Sequence, residues 1–181
     1  KPIQTLNPLT QVLVLQMLVS SPQALLKTLK KMSERGSIPK HLVATVKGIV
    51  DKMPVAAKLR GLHMLIEQLR KEKPENWRVL IFTRYLETQT TIQLFLEKQG
   101  IVCGIINGGT SSKNQETITK FKEVIPEIHV IVSTEAGSEG VNLQAANVLV
   151  NYDLPWNPMV VEQRIGRIQR LASEHASVCI F

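Results

Sequence analysis

Three arginines lie within seven residues in the segment EQRIGRIQRL near the end of the chain. If the preceding proline opens a helix, the 3.6-residue period places Gln163, Arg167 and Arg170 on one side. Arg164 then lies about 90° to 100° away from that side. Arginines this close repel one another unless an anion lies beside them, and the planar guanidinium matches phosphate oxygens two at a time. The segment therefore indicates either a phosphate-binding site or a basic face exposed to solvent.

A second segment, STEAGSEGVNL, has a high density of polar groups. It begins with the hydroxyls of Ser133 and Thr134 at the end of an apolar run. Gly140 permits close approach of a backbone, and Glu139 and Asn142 add acceptors and an amide donor nearby. A loop that only turns the chain needs none of these groups, so the segment predicts a binding loop.

Two shorter segments carry weaker signals. Thr83 and Arg84 end another apolar run, where a hydroxyl and a guanidinium could bind a phosphate. A Thr83 whose hydroxyl is hydrogen-bonded within the fold, at the end of its strand, fits the sequence equally well. The loop NGGTSS contains Gly108, and its backbone amides and hydroxyls could hold a phosphate. Alternatively, it is a plain turn in which Ser112 caps the next helix.

The segment DLPWNP lies directly before the arginine-rich helix. Asn157 is placed to cap that helix, and Pro158 is placed to occupy its first position. Asp153 and Trp156 belong either to a binding site or to the packing of the segment, and the sequence leaves both alternatives open.

Alternating strands and helices must position these segments. Apolar runs rich in β-branched residues predict strands over 78–83, 101–106, 128–133, 147–151 and 177–181. Helical periodicity predicts helices over 86–99, 113–124 and 158–171, with a short helical segment after the third strand. This order is typical of an α/β fold, a doubly wound parallel sheet with helices on both faces. Ligands of such sheets bind beyond the carboxyl ends of the strands, where Thr83, Asn107, Ser133 and Asp153 are expected.

The first 56 residues are helical by pattern and precede the α/β lobe. Helical periodicity covers 9–33 with a break at Ser20-Ser21-Pro22, and a loop follows over 34–40. A further helix over 58–73 leads into the first strand. We therefore predict a helical appendage over 1–56 and a lobe over 57–181, whose last strand is cut short, as expected of a fragment of a longer protein.

Positive charge is concentrated in the same N-terminal part. Residues 1–60 contain ten Lys and Arg against Glu34 and Asp51, a net charge of +8, whereas the whole chain carries +7. The rest of the chain therefore sums to −1. The appendage faces either a polyanion such as nucleic acid or solvent alone.

Composition argues against several classes of protein. An apolar content of 44% is too high for a disordered tail. Cys103 and Cys179 lie 76 residues apart, which indicates buried thiols rather than a metal site or a disulfide framework. The four histidines occur singly, so no metal site is predicted. Neither a membrane-spanning apolar run nor a signal peptide is evident, so a cytosolic or nuclear protein is expected.

Taken together and in this order, STEAGSEGVNL, DLPWNP and QRIGRIQR resemble the fifth, linking and sixth motifs of the second RecA-like lobe of superfamily 2 helicases and translocases. VLIFTRYLET resembles the fourth motif. DLPWNP and the run SSPQALLKTL are similar to the Swi/Snf class of double-stranded DNA translocases, especially a bacterial branch that includes an RNA-polymerase-associated recycling factor. The motifs span 78–170, about half of the chain.

The resemblance implies a role for each matching residue. Arg167 and Arg170 would reach the γ-phosphate of ATP as arginine fingers with Gln163 beside them, and Arg164 would be structural. The nucleotide-binding loop would comprise Glu139, Gly140 and Asn142. Contacts to the nucleic-acid backbone would come from Thr83, Arg84, Gly108, Ser133 and Thr134.

Two residues depart from the family pattern, and half of an ATP site is missing. Asn114 stands where an arginine is usual, and Gln169 stands where a histidine is usual. Neither a GxxxxGK[ST] loop nor an Asp-Glu pair for Mg²⁺ occurs in the sequence. We therefore expect the missing half, including the Mg²⁺ ligands, on an N-terminal RecA-like lobe of the same protein.

These features predict the C-terminal lobe of an ATP-dependent double-stranded DNA translocase that does not hydrolyse ATP alone. Its expected partners are ATP with Mg²⁺, the N-terminal lobe and duplex DNA, and a nucleoprotein complex is a further candidate. A bacterial or archaeal cytoplasm, in association with the nucleoid, is favoured over a nucleus. The alternatives are a lobe of a strand-separating RNA or DNA helicase, and a non-catalytic module that only binds nucleic acid or protein.

Overall fold

Helices and strands alternate through most of the chain. The structure, a computed structural model, describes residues 7–72, 74, 77–109, 111–169, 175 and 177–181. Its helices are α1 (Pro8–Ser20), α2 (Pro22–Glu34), α3 (Lys40–Val50), α4 (Ala57–Glu72), α5 (Leu86–Lys98), α6 (Ser111–Lys122), α7 (Glu135–Ser138) and α8 (Pro158–Ile168). Its strands are β1 (Val79–Phe82), β2 (Cys103–Ile106), β3 (Val130–Ser133), β4 (Val148–Asn151) and β5 (Cys179–Ile180).

The strands form one parallel sheet in the order β2-β3-β1-β4-β5. Every residue of β1 and β3 is buried, which requires apolar side chains at nearly every position and explains the continuous runs VLIF and VIVS. After β1 the chain adds β2 and β3 on one side of β1, and it then adds β4 and β5 on the other side. The predicted doubly wound α/β sheet is thereby confirmed, and its topological switch lies beside β1.

Alternate residues of the strands pack into two apolar layers. On one face of the sheet, Val79 and Ile81 pack into a cluster with side chains of α4 and α5. On the other face, Leu80 and Phe82 pack into a cluster with side chains of α6 and α8. Helices therefore cover both faces, as the sequence predicts.

The first three helices pack around a small cluster of their own, formed by Val14, Leu25, Leu29 and Ile38. Asn7 caps α1 and Ser21 caps α2, each followed by a proline at the first helical position. The break predicted at Ser20-Ser21-Pro22 is thus the start of α2. The division of the chain into an appendage and a lobe at residue 57 stays a prediction.

Several details of the predicted elements are wrong. The helix α3 was not predicted, and none of its residues is buried because its apolar side chains pack only partly on the small cluster. The helix α6 begins at Ser111 rather than at 113. The helix α8 ends at Ile168 rather than at 171, and Gln169 is extended, with φ −107° and ψ 109°. Arg170 lies outside the described residues, and so does its predicted position on the helix.

The two cysteines differ in environment. Burial raises the pKa of the Cys103 thiol to about 12. Cys179 is exposed, so the prediction of a buried thiol is wrong for this residue. In the described part of the chain, no helix is long and apolar enough to cross a membrane. No group of His, Cys, Asp or Glu among the same residues could hold a metal ion.

Gly137 of α7 lies directly against the end of β2. A Cβ atom built on this glycine would lie 2.5 Å from the carbonyl oxygen of Ile106 and 2.6 Å from the Cα of Asn107. Both neighbours are backbone atoms at the end of a sheet strand, so they cannot move aside without shifting the strand. The absence of a side chain therefore sets how closely α7 approaches the sheet.

We expect Gly137→Ala to lower the free energy of unfolding by roughly 1–3 kcal/mol, because the new methyl group overpacks a rigid backbone. Urea denaturation measures this change. Gly61→Ala in α4 is the matched control, since a Cβ there meets no atom within 4 Å. Alanine should stabilise that helix by roughly 0.5–1 kcal/mol. Equal effects of the two substitutions would contradict the close approach of α7.

Candidate nucleotide and nucleic-acid interface

The carboxylate of Asp153 gathers hydrogen-bond donors at the carboxyl edge of the sheet. Its Oδ2 accepts from the hydroxyl of Thr83 (2.7 Å), the hydroxyl of Ser20 (2.7 Å) and the backbone amide of Arg84 (3.0 Å). Its Oδ1 accepts from the Nζ of Lys58 (3.3 Å). The carboxylate side chain is only 12% exposed. One anion therefore joins the loop after β4 to β1, α1 and α4.

The same network continues into α5 through hydroxyl groups. The Oγ1 of Thr88 lies 2.7 Å from the Oγ of Ser20 and 2.8 Å from the Oγ of Ser21, and all three residues are buried. Nearby, the Nη1 of Arg84 donates to the Oε1 of Gln16 in α1 at 3.4 Å. These bonds hold α1 and α2 against the edge of the sheet.

The residues predicted to contact nucleic acid form a buried group and an exposed group. Thr83 and Ser133 are fully buried, and their hydroxyls donate to the carboxylate described above and to the carbonyl of Thr134 (3.0 Å), respectively. Thr134 is buried as well, whereas Arg84 and Gly108 are exposed. Direct contact by Thr83 or Ser133 with a ligand requires its hydroxyl to leave the present acceptor.

The loop that carries Gly108 is held by two asparagines. The Nδ2 of Asn114 donates to the carbonyl of Asn107 (2.7 Å), and the amide of Asn107 donates to the Oδ1 of Asn114 (3.4 Å). A Cβ on Gly108 would lie 3.0 Å from the Cβ of Ala136 in α7. Asn114 therefore docks this loop onto α6.

Arg164 is a buried arginine with several partners, and its side chain is 2% exposed. Its Nε donates to the carboxylate of Glu135 (3.0 Å), and its Nη2 donates to the same oxygen. Its Nη1 donates to the Oδ1 of Asn151 (2.7 Å) and to the carbonyl of Asp153 (3.0 Å). The guanidinium also lies 4.9 Å from the centre of the Phe82 ring. Arg164 therefore fastens α8 to α7 and to the ends of β1 and β4, as expected of a structural residue.

Arg167 lies one turn further along α8 in a different environment. It is partly exposed, Gln163 is exposed, and no carboxylate in the described ranges forms an ion pair with Arg167. The carbonyl of Arg167 accepts a hydrogen bond from the amide of Leu143 (3.2 Å). This bond places the end of the STEAGSEGVNL loop beside α8.

Glu139, Gly140 and Asn142 of that loop are exposed. Gly140 has a φ of 70°, which favours glycine, and a Cβ there would meet no atom within 4 Å. The side chain of Asn142 accepts from the amide of Gln144 and donates to its Oε1, both at 3.0 Å. The structure thus brings the predicted nucleotide-binding loop next to the turn of α8 that carries Arg167.

Sequence reasoning missed several residues that build this edge, namely Ser20, Lys58, Gln89 and Glu135. The buried Nε2 of Gln89 donates to the carbonyls of Ile106 (2.9 Å) and Val132 (2.8 Å), and so bridges the ends of β2 and β3. A signal for Gln89 existed, because it stands three residues before the buried Ile92 on the apolar stripe of α5. A polar residue on such a stripe indicates a buried hydrogen bond.

An apolar groove of about 570 Å³ lies between α1 and the segment after β4. Trp156 lines it and is 82% exposed, so this residue does not serve core packing. Tyr152 also lines it; burial raises the pKa of Tyr152, and the Nζ of Lys58 lies 4.1 Å from the centre of its ring. The groove places a large aromatic surface beside the exposed guanidinium of Arg84.

We expect Asp153→Ala to lower the free energy of unfolding by roughly 3 kcal/mol, because the buried hydroxyls of Ser20 and Thr83 lose their acceptor. Urea denaturation measures this change, and hydrogen exchange should become faster in α1 and α2 than in α6. Asp51→Ala removes an exposed ion pair with Lys47 and should change stability by less than about 0.5 kcal/mol. Similar small effects of both substitutions would show that the Asp153 network does not hold the edge together.

Comparison with known proteins identifies a family. Residues 60–172 match the family model described as the helicase conserved C-terminal domain. The chain is 37% identical over 157 residues to the uncharacterized ATP-dependent helicase YqhH of Bacillus subtilis. This alignment covers 86% of this chain and 27% of YqhH. It is 33% identical over 115 residues to the RNA polymerase-associated protein RapA of Vibrio vulnificus. That alignment covers 62% of this chain and 12% of RapA.

The fold is also similar to a solved structure. The crystal structure of the C-terminal part of the Fun30 ATPase domain matches with a TM-score of 0.62 at 24% identity, over 70% of this chain and 40% of that chain. The chain spans about a quarter or less of the length of YqhH and RapA. Because the family model matches more than half of the residues, the chain belongs to the helicase conserved C-terminal domain family and has its RecA-like fold.

Proposed function

We propose that this chain is the C-terminal motor lobe of an ATP-dependent translocase that moves along double-stranded DNA. Residues 1–56 form its helical appendage, and residues 57–181 form the lobe. Family membership supports this proposal, and YqhH, an ATP-dependent helicase by name, aligns with most of the chain. RapA is named for its association with RNA polymerase, so a nucleoprotein complex on DNA is the proposed target.

The contrast between two arginines of α8 carries the proposal. Arg164 is buried and paired with Glu135, whereas Arg167 is partly exposed and has no ion-pair partner among the residues described. Two guanidinium groups one turn apart repel each other, so an unpaired one is stabilised when an anion arrives. We assign that anion as the γ-phosphate of ATP. Arg167 and Arg170 then act as the arginine fingers that stabilise charge in the transition state of phosphoryl transfer.

The residues around Arg167 fit a nucleotide. Gln163 projects from the same helix, and the loop with Glu139, Gly140 and Asn142 is exposed beside it. Gly140 leaves its backbone bare, which suits the close approach of a ribose. ATP supplies the phosphoryl group whose transfer to water drives the motor. The ligands of Mg²⁺ and the phosphate-binding loop would come from the N-terminal RecA-like lobe of the same protein.

The residues predicted to contact nucleic acid are placed to meet a phosphate backbone. Arg84 and Gly108 are exposed at the carboxyl edge of the sheet and are proposed to contact phosphates directly. Thr83, Ser133 and Thr134 are buried just below and would contact the backbone only after a local opening. Such contacts do not read sequence, and their strength depends on salt concentration.

In the proposed cycle, ATP closes the two lobes so that Arg167 and Arg170 reach the γ-phosphate. Opening after hydrolysis then moves this lobe along the backbone of the duplex. Strand separation is not required, because the Swi/Snf class that the sequence resembles moves along intact duplex DNA. We place this motor in the cytoplasm of a bacterium or archaeon, in association with the nucleoid.

Arg167→Ala or Arg170→Ala in the full-length protein should lower ATP turnover at least a hundredfold, because each removes a charge from the transition state. DNA affinity should change less than threefold. Arg70→Ala is the matched control, since Arg70 lies on the exposed surface of α4 in a weak ion pair with Glu67. ATP turnover that survives both finger substitutions would show that the roles are wrongly assigned.

Duplex DNA should stimulate the ATPase of the full-length protein more strongly than single-stranded DNA or RNA of equal length. A translocase on intact duplex needs both strands for its path, whereas a strand-separating helicase follows one strand. Steady-state ATP hydrolysis with each nucleic acid measures the difference. Equal stimulation by single-stranded RNA would contradict the duplex translocase, and no stimulation by any nucleic acid would favour a non-catalytic module.

A further inference from the structure

The helices α2 and α3 carry most of the excess positive charge of the chain. Between Pro22 and Val50 the sequence contains six Lys and Arg against one carboxylate, that of Glu34. The charge of this helix pair is therefore +5, whereas residues beyond 60 sum to −1. The proposed fingers and phosphate contacts of the lobe do not use any of these groups.

Three of the lysines converge on one concave surface. A shallow groove of about 350 Å³ between α2 and α3 is lined by Lys30, Lys40 and Lys47, with Glu34 as its carboxylate. Lys47 pairs with Asp51, the residue directly after α3, and neither of the other two lysines forms an ion pair in the part of the chain described. With three lysines against one carboxylate, the lining of the groove carries a net charge of +2, and an excess of positive charge in a cleft attracts anions.

The helix α2, which lines the groove, contacts the start of α5 near Arg84. Lys27 of α2 forms an ion pair with Glu87, the second residue of α5. Burial alone would raise the pKa of Glu87, but the hydrogen bond from Lys27 and the charges of Lys27 and Lys31 lower it below its usual value. The middle of α2, at Lys27, therefore lies beside the first turn of α5, which starts just after β1 and Arg84.

We propose that the groove between α2 and α3 is a second binding site for the phosphate backbone of duplex DNA. This inference rests on the proposed function, because the duplex is the one that the lobe follows. Phosphates leaving the Arg84 edge would continue into the groove, where the lysine ammonium groups act as point charges without reading sequence. The appendage would then extend the length of DNA that the motor holds.

The test compares two triple variants of this chain with the same change in charge. Lys30→Gln, Lys40→Gln and Lys47→Gln remove the groove lysines. Lys71→Gln, Lys98→Gln and Lys122→Gln remove exposed lysines at the ends of α4, α5 and α6. These helices lead into the amino ends of β1, β2 and β3, whereas Arg84 follows the carboxyl end of β1. Fluorescence anisotropy measures affinity for a labelled 30-base-pair duplex between about 50 and 200 mM salt.

The groove variant should bind duplex DNA about tenfold more weakly near 100 mM salt. The slope of log affinity against log salt concentration should also be shallower, by the equivalent of roughly two to three lost phosphate contacts. The control variant should lose less than threefold. Glu34→Gln should bind more tightly than the unaltered chain, because it removes the carboxylate of the groove. Equal losses in the two triple variants, or no gain in Glu34→Gln, would overturn the proposal.

Two further measurements separate this inference from the proposed function. If Arg84→Ala weakens duplex binding but the groove variant does not, only the second site is wrong. If the unaltered chain binds no duplex at 50 mM salt, both proposals fail. Single-stranded RNA of the same length is titrated in parallel, and a defect of the groove variant confined to RNA would overturn duplex DNA as the source of the phosphates.

Discussion

The buried carboxylate of Asp153 is the constraint on which the carboxyl edge of the sheet depends. A carboxylate taken out of water costs several kcal/mol unless its oxygens are hydrogen-bonded and its charge is balanced. Here Ser20, Thr83, Lys58 and the amide of Arg84 meet that need from different elements. Satisfying one anion therefore fixes α1, α4, β1 and the loop after β4 relative to one another, and the exposed guanidinium of Arg84 takes its position from this arrangement.

A second buried charge, on Arg164, holds α8 against α7 and the end of β4. Its guanidinium fork reaches Glu135, Asn151 and the carbonyl of Asp153, so the two charged centres share a backbone segment. Because Arg164 is held on the inner side of α8, the helix cannot rotate about its axis without breaking these bonds. That orientation leaves Arg167 partly exposed beside the loop that ends at Leu143. The structural arginine thus determines where the candidate catalytic arginine lies.

The sequence predicted the elements of the lobe better than the contacts between them. β1 and β3 could be recognised because a strand buried on both faces must be apolar throughout, and the N-caps at Ser21 and Asn157 are local signals. The partners of Asp153 could not be predicted, since Ser20 lies 133 residues away and its hydroxyl could equally serve a turn or a cap. The helix α3, in contrast, did carry a local signal, because Leu42, Val43 and Val46 follow helical spacing and pack against the small cluster.

The end of α8 explains how an arginine can stay unpaired in this lobe. Arg167 lies in the last turn of the helix, where the helix dipole contributes a partial negative charge. This field stabilises a cation by roughly 0.3–1 kcal/mol, far less than a bidentate contact with phosphate provides. The helix terminus therefore tolerates the free guanidinium without neutralising it. A carboxylate partner like that of Arg164 would stabilise the lobe further, but it would have to be displaced before a phosphate could bind. For the arginine finger that we propose, such weak stabilisation would keep the charge available until the two lobes close.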